Sequence, residues 1–263
     1  MRTQKIFFNN RSDIALSAYL DLPKSTNQRA FAILAHCFTC SKFIKSYNHI
    51  SRALCEQGIG VLRLDFTGIG ESSGRFIDST FQTNIHDLID AAEYLRQHHQ
   101  SPQLLIGHSL GGAAALAAAQ HISSIRAVAV IGTPDETTHL YHLLSSDKTR
   151  TADPDKRSIT LGGKAFDITD ALLESLRNQQ MRPIIENLNK ALLILHAPND
   201  DTVSLGSGER LFSTAKHPKS LISLDTADHL LNDKDDARYA GRMIANWVDR
   251  YLPTGAKHEK NSQ

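Results

Sequence analysis

Ser109 stands at the centre of Gly107-His108-Ser109-Leu110-Gly111, the G-x-S-x-G spacing of a nucleophile elbow. The apolar run Leu104-Leu105-Ile106 leads into it, and a small-residue run from Gly112 to Gln120 follows. The spacing predicts a strand, a sharp turn and a helix. Glycine is needed at 107 and 111 because a side chain there would strike the strand or the helix. Such a turn lifts the serine hydroxyl above the sheet edge, at a helix N-terminus. There the Leu110 N–H can face an oxyanion as it develops. Alone, the pentapeptide would also fit a Gly-rich turn that only packs a strand onto a helix. Its flanks favour the nucleophile.

A serine hydroxyl is a weak nucleophile at neutral pH and needs a base and an orienting acid. Two later segments offer them: His196-Ala-Pro-Asn-Asp200-Asp201-Thr-Val203 and Asp225-Thr-Ala-Asp228-His229-Leu230, each just after a predicted strand. His229 would take the Ser109 proton and return it to the leaving group. Asp200 is the favoured acid, from its place in the tight turn and the spacing His-x-x-x-Asp-x-x-Val. Asp201 competes with it and would otherwise be solvated or cap the next helix. Asp135 is a further alternative, and Asp228 is too close in sequence to His229 to support its ring. The second oxyanion donor should come from His36-Cys37-Phe38-Thr39-Cys40-Ser41-Lys42, with the Phe38 N–H first by position and Cys37 second.

Other residues invite sharper readings than they support. Cys37 and Cys40 form a C-x-x-C, which fits either a redox pair that would pinch the oxyanion loop or two small side chains packed beside the site. Packing is the favoured reading, since no thioredoxin-like context surrounds the pair. A zinc site lacks a second ligand pair. Asp65-Phe-Thr-Gly68-Ile-Gly70-Glu71-Ser72 imitates a dinucleotide fingerprint but lacks its third glycine, and is read as a tight surface loop. Of thirteen histidines, His36, His108 and His196 each end a strand and should hydrogen-bond into the adjoining loop, while His98, His99 and His217 read as solvated or loop residues. No metal and no cofactor are expected.

The elements that must hold these residues follow from patterning. Lys5 to Phe8 and Ile14 to Leu20 read as early strands. Ala30 to Ala35, Val61 to Leu64, Ala127 to Ile131, Ala191 to Leu195 and Ser220 to Leu224 read as further strands. Between them lie helices over Tyr47 to Gln57, from the Asp78-Ser79-Thr80 cap to Leu95, over Gly206 to Ala215, and over Ala237 to Leu252. Alternation of this kind implies an α/β fold with a mostly parallel sheet covered on both faces. Ligands of such sheets bind at the carboxyl ends of the strands. Residues 134–187 break the pattern with a hairpin (Ser158 to Ile168, turning at Gly162-Gly163) and a helix from about Thr169 to Gln179. They read as a small inserted cap. Of its apolar residues Leu161, Phe166, Leu172, Leu173 and Leu176, some should pack within the cap and others line an acyl pocket. The expected organisation is one domain over 1–252 and a disordered polar tail over 253–263.

At 263 residues and a formal net charge of +1, the chain fits one large domain with no call for nucleic acid or an anionic membrane as partner. Its first residues are too polar for a signal peptide, and no apolar run approaches membrane-spanning length. The cysteines Cys37, Cys40 and Cys55 do not look like a secreted disulfide framework. A cytoplasmic location is expected, with a small-molecule acyl substrate as partner, and self-association into a homodimer is left open.

Taken together, the elbow, the Asp-Phe-Thr-Gly-Ile-Gly-Glu-Ser loop, the acid turn and the Ala-Asp-His segment resemble the α/β-hydrolase superfamily across about Lys5 to Leu252. The order Ser…Asp…His is the one used on that scaffold. His36-Cys-Phe-Thr-Cys-Ser-Lys42, Leu195-His-Ala-Pro-Asn-Asp-Asp-Thr-Val203 and Ala215-Lys-His-Pro-Lys-Ser220 resemble the hydrolase half of bacterial proteins fused to an OsmC-like domain. That resemblance implies a cytoplasmic serine hydrolase and a functional link to an OsmC-like protein. No OsmC-like segment follows Leu252, so peroxidase activity is not implied. A Cys-Phe pair also stands after His36 where a Gly-containing pair is commoner. The resulting expectation is a metal-independent carboxylic ester hydrolase working through an acyl-enzyme. Thioesterase and small-peptide or amide hydrolase are the alternatives on the same residues, and a catalytically silent binding protein is the alternative of another class.

Overall fold

Five mainly apolar runs become the centre of one sheet. The computed structural model describes residues 1–24, 28–38, 40–145, 151, 156–161 and 164–252; the Gly162-Gly163 turn and the polar tail 253–263 lie outside them. The strands β3 (Ala30–Ala35), β4 (Ile59–Leu64), β5 (Leu104–His108), β6 (Ala127–Ile131) and β9 (Ala191–His196) are buried at every position. Continuous burial requires cover on both faces, which explains why these strands do not alternate. The antiparallel hairpin of β1 (Arg2–Asn9) and β2 (Ala15–Leu22) extends one edge, and β10 (Lys219–Ser223) closes the other. The order is β1-β2-β4-β3-β5-β6-β9-β10, parallel from β4 to β10.

Helix α1 (Lys45–Glu56) and helix α8 (Lys234–Val248) cover one face, placing Tyr47, Ile50, Leu54, Ala240 and Ile244 against the strands. Helix α2 (Phe81–His98), helix α3 (Leu110–Ala119) and helix α7 (Leu205–Thr214) serve the other face. The predicted cap of α2 is Thr80, in a reciprocal capping box with Thr83, while Phe76–Asp78 form a separate single 3-10 turn. Among the described residues, no helix is long and apolar enough to cross a membrane.

Between β6 and β9 the chain forms helix α4 (Thr138–Leu144), the hairpin β7 (Lys156–Leu161) and β8 (Lys164–Thr169), helix α5 (Asp170–Asn178) and helix α6 (Met181–Glu186). Its side chains do not divide as the sequence suggests. Leu172, Leu173 and Leu176 are all buried in the core on the α2–α3 face, together with Met181 and Ile185. Phe166 is only partly buried, and packs edge-on against Phe76 at 5.3 Å between ring centres. None of the three leucines is therefore free to line a substrate pocket.

Candidate active site

Ser109 follows β5 and precedes α3 with φ 54° and ψ −126°, a left-handed conformation that a residue with a side chain rarely adopts. Backbone hydrogen bonds hold it there: its N–H donates to Ile131 O at 2.9 Å, and its carbonyl accepts from Gly112 N–H at 2.9 Å and Ala113 N–H at 3.4 Å. A Cβ on Gly107 would lie 2.4 Å from Gly111 O, and one on Gly111 would lie 2.2 Å from His36 O. The turn is thus pressed against the loop after β3. Leu110 is the first residue of α3, where an N–H has no intrahelical partner.

Asp200 and His229, the expected acid and base, lie in the loops after β9 and β10. The Asp200 Oδ1 accepts the Thr202 and Val203 N–H groups at 2.9 and 2.8 Å, and its Oδ2 lies 2.8 Å from His229 Nδ1. Burial alone would raise the Asp200 carboxyl, but the hydrogen bonds from His229, Val203 and Thr202 outweigh it and hold the group below the usual carboxylate range. The other carboxylates face elsewhere. Asp201 is exposed and accepts the Thr202 hydroxyl at 3.1 Å; it does not cap α7, whose N-cap is Ser204. Asp135 is paired with Arg210 at 2.6 Å, and Asp228 binds Asn232 within its own loop. Gly132, just after β6, was not legible as a site residue. At φ 50°, a Cβ there would lie 3.0 Å from Asp200 Oδ2 and 3.2 Å from His229 Nδ1. Its only sequence signal is a glycine at the end of a buried strand.

The loop after β3 begins His36-Cys37-Phe38. Cys37 N–H is already committed to the Tyr47 hydroxyl at 3.1 Å. Among the described residues, Phe38 N–H has no such partner, and Phe38 and Leu110 line the same small cavity. Cys37 and Cys40 are joined as a disulfide with Cα atoms 5.2 Å apart, where packing as two thiols had been the favoured expectation. Cys55 remains a free thiol, pushed up to about 12 by burial and so unreactive.

Buried polar side chains fix these loops. Phe66 N–H donates to His36 Nε2 at 3.2 Å, so the opposite nitrogen carries the proton and donates to Cys37 O at 2.7 Å. Burial lowers the His36 pKa and keeps the ring neutral. His108 Nε2 donates to the backbone carbonyl of His229 at 2.7 Å; burial first, then the neighbouring His229, push the His108 pKa down to about 3. His196 Nε2 donates to Val203 O at 2.8 Å and closes the turn that holds Asp200. Lys42 is fully buried, which sequence reading did not anticipate. Its ammonium contacts Asp65 and lies 3.0 Å from Ser17 Oγ and 2.9 Å from Glu71. The expected surface loop from Asp65 to Ser72 is therefore anchored on a carboxylate with no exposure, which accepts Lys42 N–H at 2.7 Å and Glu71 N–H at 3.0 Å. The two loops flanking the cavity are tied to each other. Among the described residues, no group of three or more His, Cys, Asp and Glu side chains could hold a metal ion.

The chain is similar to several known proteins. Residues 27–134 match the family model described as serine aminopeptidase, S33. The crystal structure of the esterase domain of a Rhodothermus marinus protein superposes with a TM-score of 0.80 at 40% identity, covering 95% of this chain and 99% of that one. Est1E from Butyrivibrio proteoclasticus, solved with ferulic acid bound, shares the fold at a TM-score of 0.81 and 19% identity, covering 94% of this chain and 98% of that one. The uncharacterized protein YfhR of Salmonella typhi is 24% identical over 198 residues, 71% of this chain and 60% of that protein, so the chain spans less than two thirds of that relative's length. With an eight-stranded, mostly parallel sheet and a near-complete match to a 40% identical domain, the chain belongs to the α/β-hydrolase superfamily.

Proposed function

We propose that the protein cleaves carboxylic esters through an acyl-enzyme, with Ser109 as nucleophile, His229 as base and Asp200 as acid. The observation that carries this reading is the 2.8 Å contact of His229 Nδ1 with Asp200 Oδ2, at the sheet edge where the Ser109 elbow also sits. With Nδ1 committed to the carboxylate, Nε2 is the nitrogen left to accept the Ser109 proton. The serine oxygen then attacks the acyl carbon. The oxyanion that forms is met by the N–H groups of Phe38 and Leu110. His229 passes its proton to the departing alcohol, and water repeats the sequence to release the acid. The 40% identity to an esterase domain supports an ester as substrate over a thioester or an amide. Ring contacts from Phe38 to Phe76 (5.6 Å) and from Phe76 to Phe166 (5.3 Å) close in beside the oxyanion donors and favour a short acyl group.

The test is labelling with a fluorophosphonate probe, followed by kinetics on matched ester, thioester and amide substrates. Ser109→Ala should abolish labelling and lower kcat on the order of 10⁴-fold or more while the protein stays folded. Near-normal ester turnover in that variant would end the assignment. Faster turnover of the thioester or the amide would move the substrate class but keep the residues.

A further inference from the structure

A hydrogen-bonded chain runs through the interior from the oxyanion loop to the base. Cys37 N–H donates to the Tyr47 hydroxyl at 3.1 Å, and that hydroxyl lies 3.0 Å from His108 Nδ1. At the far side of the same imidazole, Nε2 lies 2.7 Å from the carbonyl of His229. The donors can be ordered in one way. A carbonyl only accepts, so His108 Nε2 carries the proton; Nδ1 of the neutral ring must then accept, and the Tyr47 hydroxyl donates to it. Every bond in the chain points in one direction. Tyr47 and His108 are 1% and 3% exposed, so no solvent stands in for a missing partner. Burial pushes the Tyr47 hydroxyl above its usual range and the His108 ring to about 3, so neither ionises near neutrality.

The two ends of this chain are adjacent to the reacting parts. Cys37 immediately precedes Phe38, whose N–H is the proposed oxyanion donor. His108 immediately precedes Ser109. We infer that Tyr47 and His108 are positioning residues that set the oxyanion loop and the backbone of the base against each other across the nucleophile. This rests on the triad reading above. Neither residue touches the substrate. Each acts through a backbone group of a residue that does, so its effect should fall on the transition state and leave ground-state binding alone.

Tyr47→Phe keeps the ring and removes the oxygen that joins the loop to His108. It should lower kcat for an activated ester about 10-fold at unchanged KM, the size of one buried hydrogen bond. Affinity for a trifluoromethyl ketone, which adds Ser109 and presents an oxyanion, should fall by the same factor. His108→Asn is the second variant: it can keep an acceptor towards Tyr47 but loses the donor to His229, and should also lower kcat at unchanged KM. Should Tyr47→Phe fail to fold, His108→Asn alone decides. Unchanged kcat in a folded variant, with only its melting temperature lowered, would overturn the inference. So would a loss confined to KM. Ser109→Ala is measured in parallel. If it stays active, the triad reading fails and takes this inference with it. If Ser109→Ala is inactive and kcat is unmoved in Tyr47→Phe and His108→Asn, this inference alone fails.

Discussion

The Asp200 carboxylate accepts hydrogen bonds from His229, Thr202 and Val203, whereas its neighbour Asp201 is exposed and accepts the Thr202 hydroxyl. Removing the Asp200 charge should leave the imidazole without the acceptor that fixes its tautomer. Asp200→Asn is expected to lower kcat by about 10²- to 10⁴-fold, and Asp201→Asn by less than about 2-fold. Steady-state kinetics of both variants on one ester checks this, and the reverse ranking would be fatal to it. Single residues were legible in the sequence where local spacing is itself the constraint. The elbow and the acid turn are of that kind, because both are tight turns whose geometry a few residues dictate. Gly132, Tyr47 and Lys42 were not legible. What makes them matter is a contact with a residue far away in the chain, from Gly132 to His229, from Tyr47 to His108, from Lys42 to Asp65.

Among the elements, the segment between β6 and β9 has two kinds of side chain. Leu172 on α5 is 3% exposed and sits in the core against the α2–α3 face. Phe166 on β8 is partly buried against Phe76. Leu172→Ala should therefore cost about 2–5 kcal/mol of stability with the acyl-length profile unchanged. Phe166→Ala should instead widen the accepted acyl length, with a smaller loss of stability. Chemical denaturation and a series of activated esters, run on both variants, separate the two roles. The long helices were readable because they carry their own signals, such as the Thr80–Thr83 box of α2. Helices α4 and α6, of 7 and 6 residues, were missed. Neither has a side-chain cap at its N-terminus, and Pro183 lies inside α6. Helices this short are marginal alone and are held by packing, which leaves little local trace.

For the whole molecule, the parallel sheet was foreseeable because strands buried on both faces write themselves as unbroken apolar runs. The order of those strands was not, since each crossover is compatible with several neighbours until the two helical layers are in place. One consequence of the interior concerns protons as denaturants. His36 and His108 are both buried as neutral rings, with His229, Asp200, Asp65 and Lys42 as their ionisable neighbours. An unfolded chain lets such rings protonate near pH 6.5. Between there and the lowered folded-state values, the unfolded chain binds more protons than the native one, so stability rises with pH. This contribution is complete above about pH 6.5 and is lost as pH falls towards the His108 value of about 3. Unfolding free energy measured by urea titration should thus fall steeply from pH 6.5 to 4. In His108→Gln the fall should be shallower by up to about 1.4 kcal/mol per pH unit, the slope that one proton supplies. An equal slope in both proteins would mean that acid enters the fold by another route. If the slope does lessen, the buried histidine next to Ser109 is one place where acidity undoes the fold.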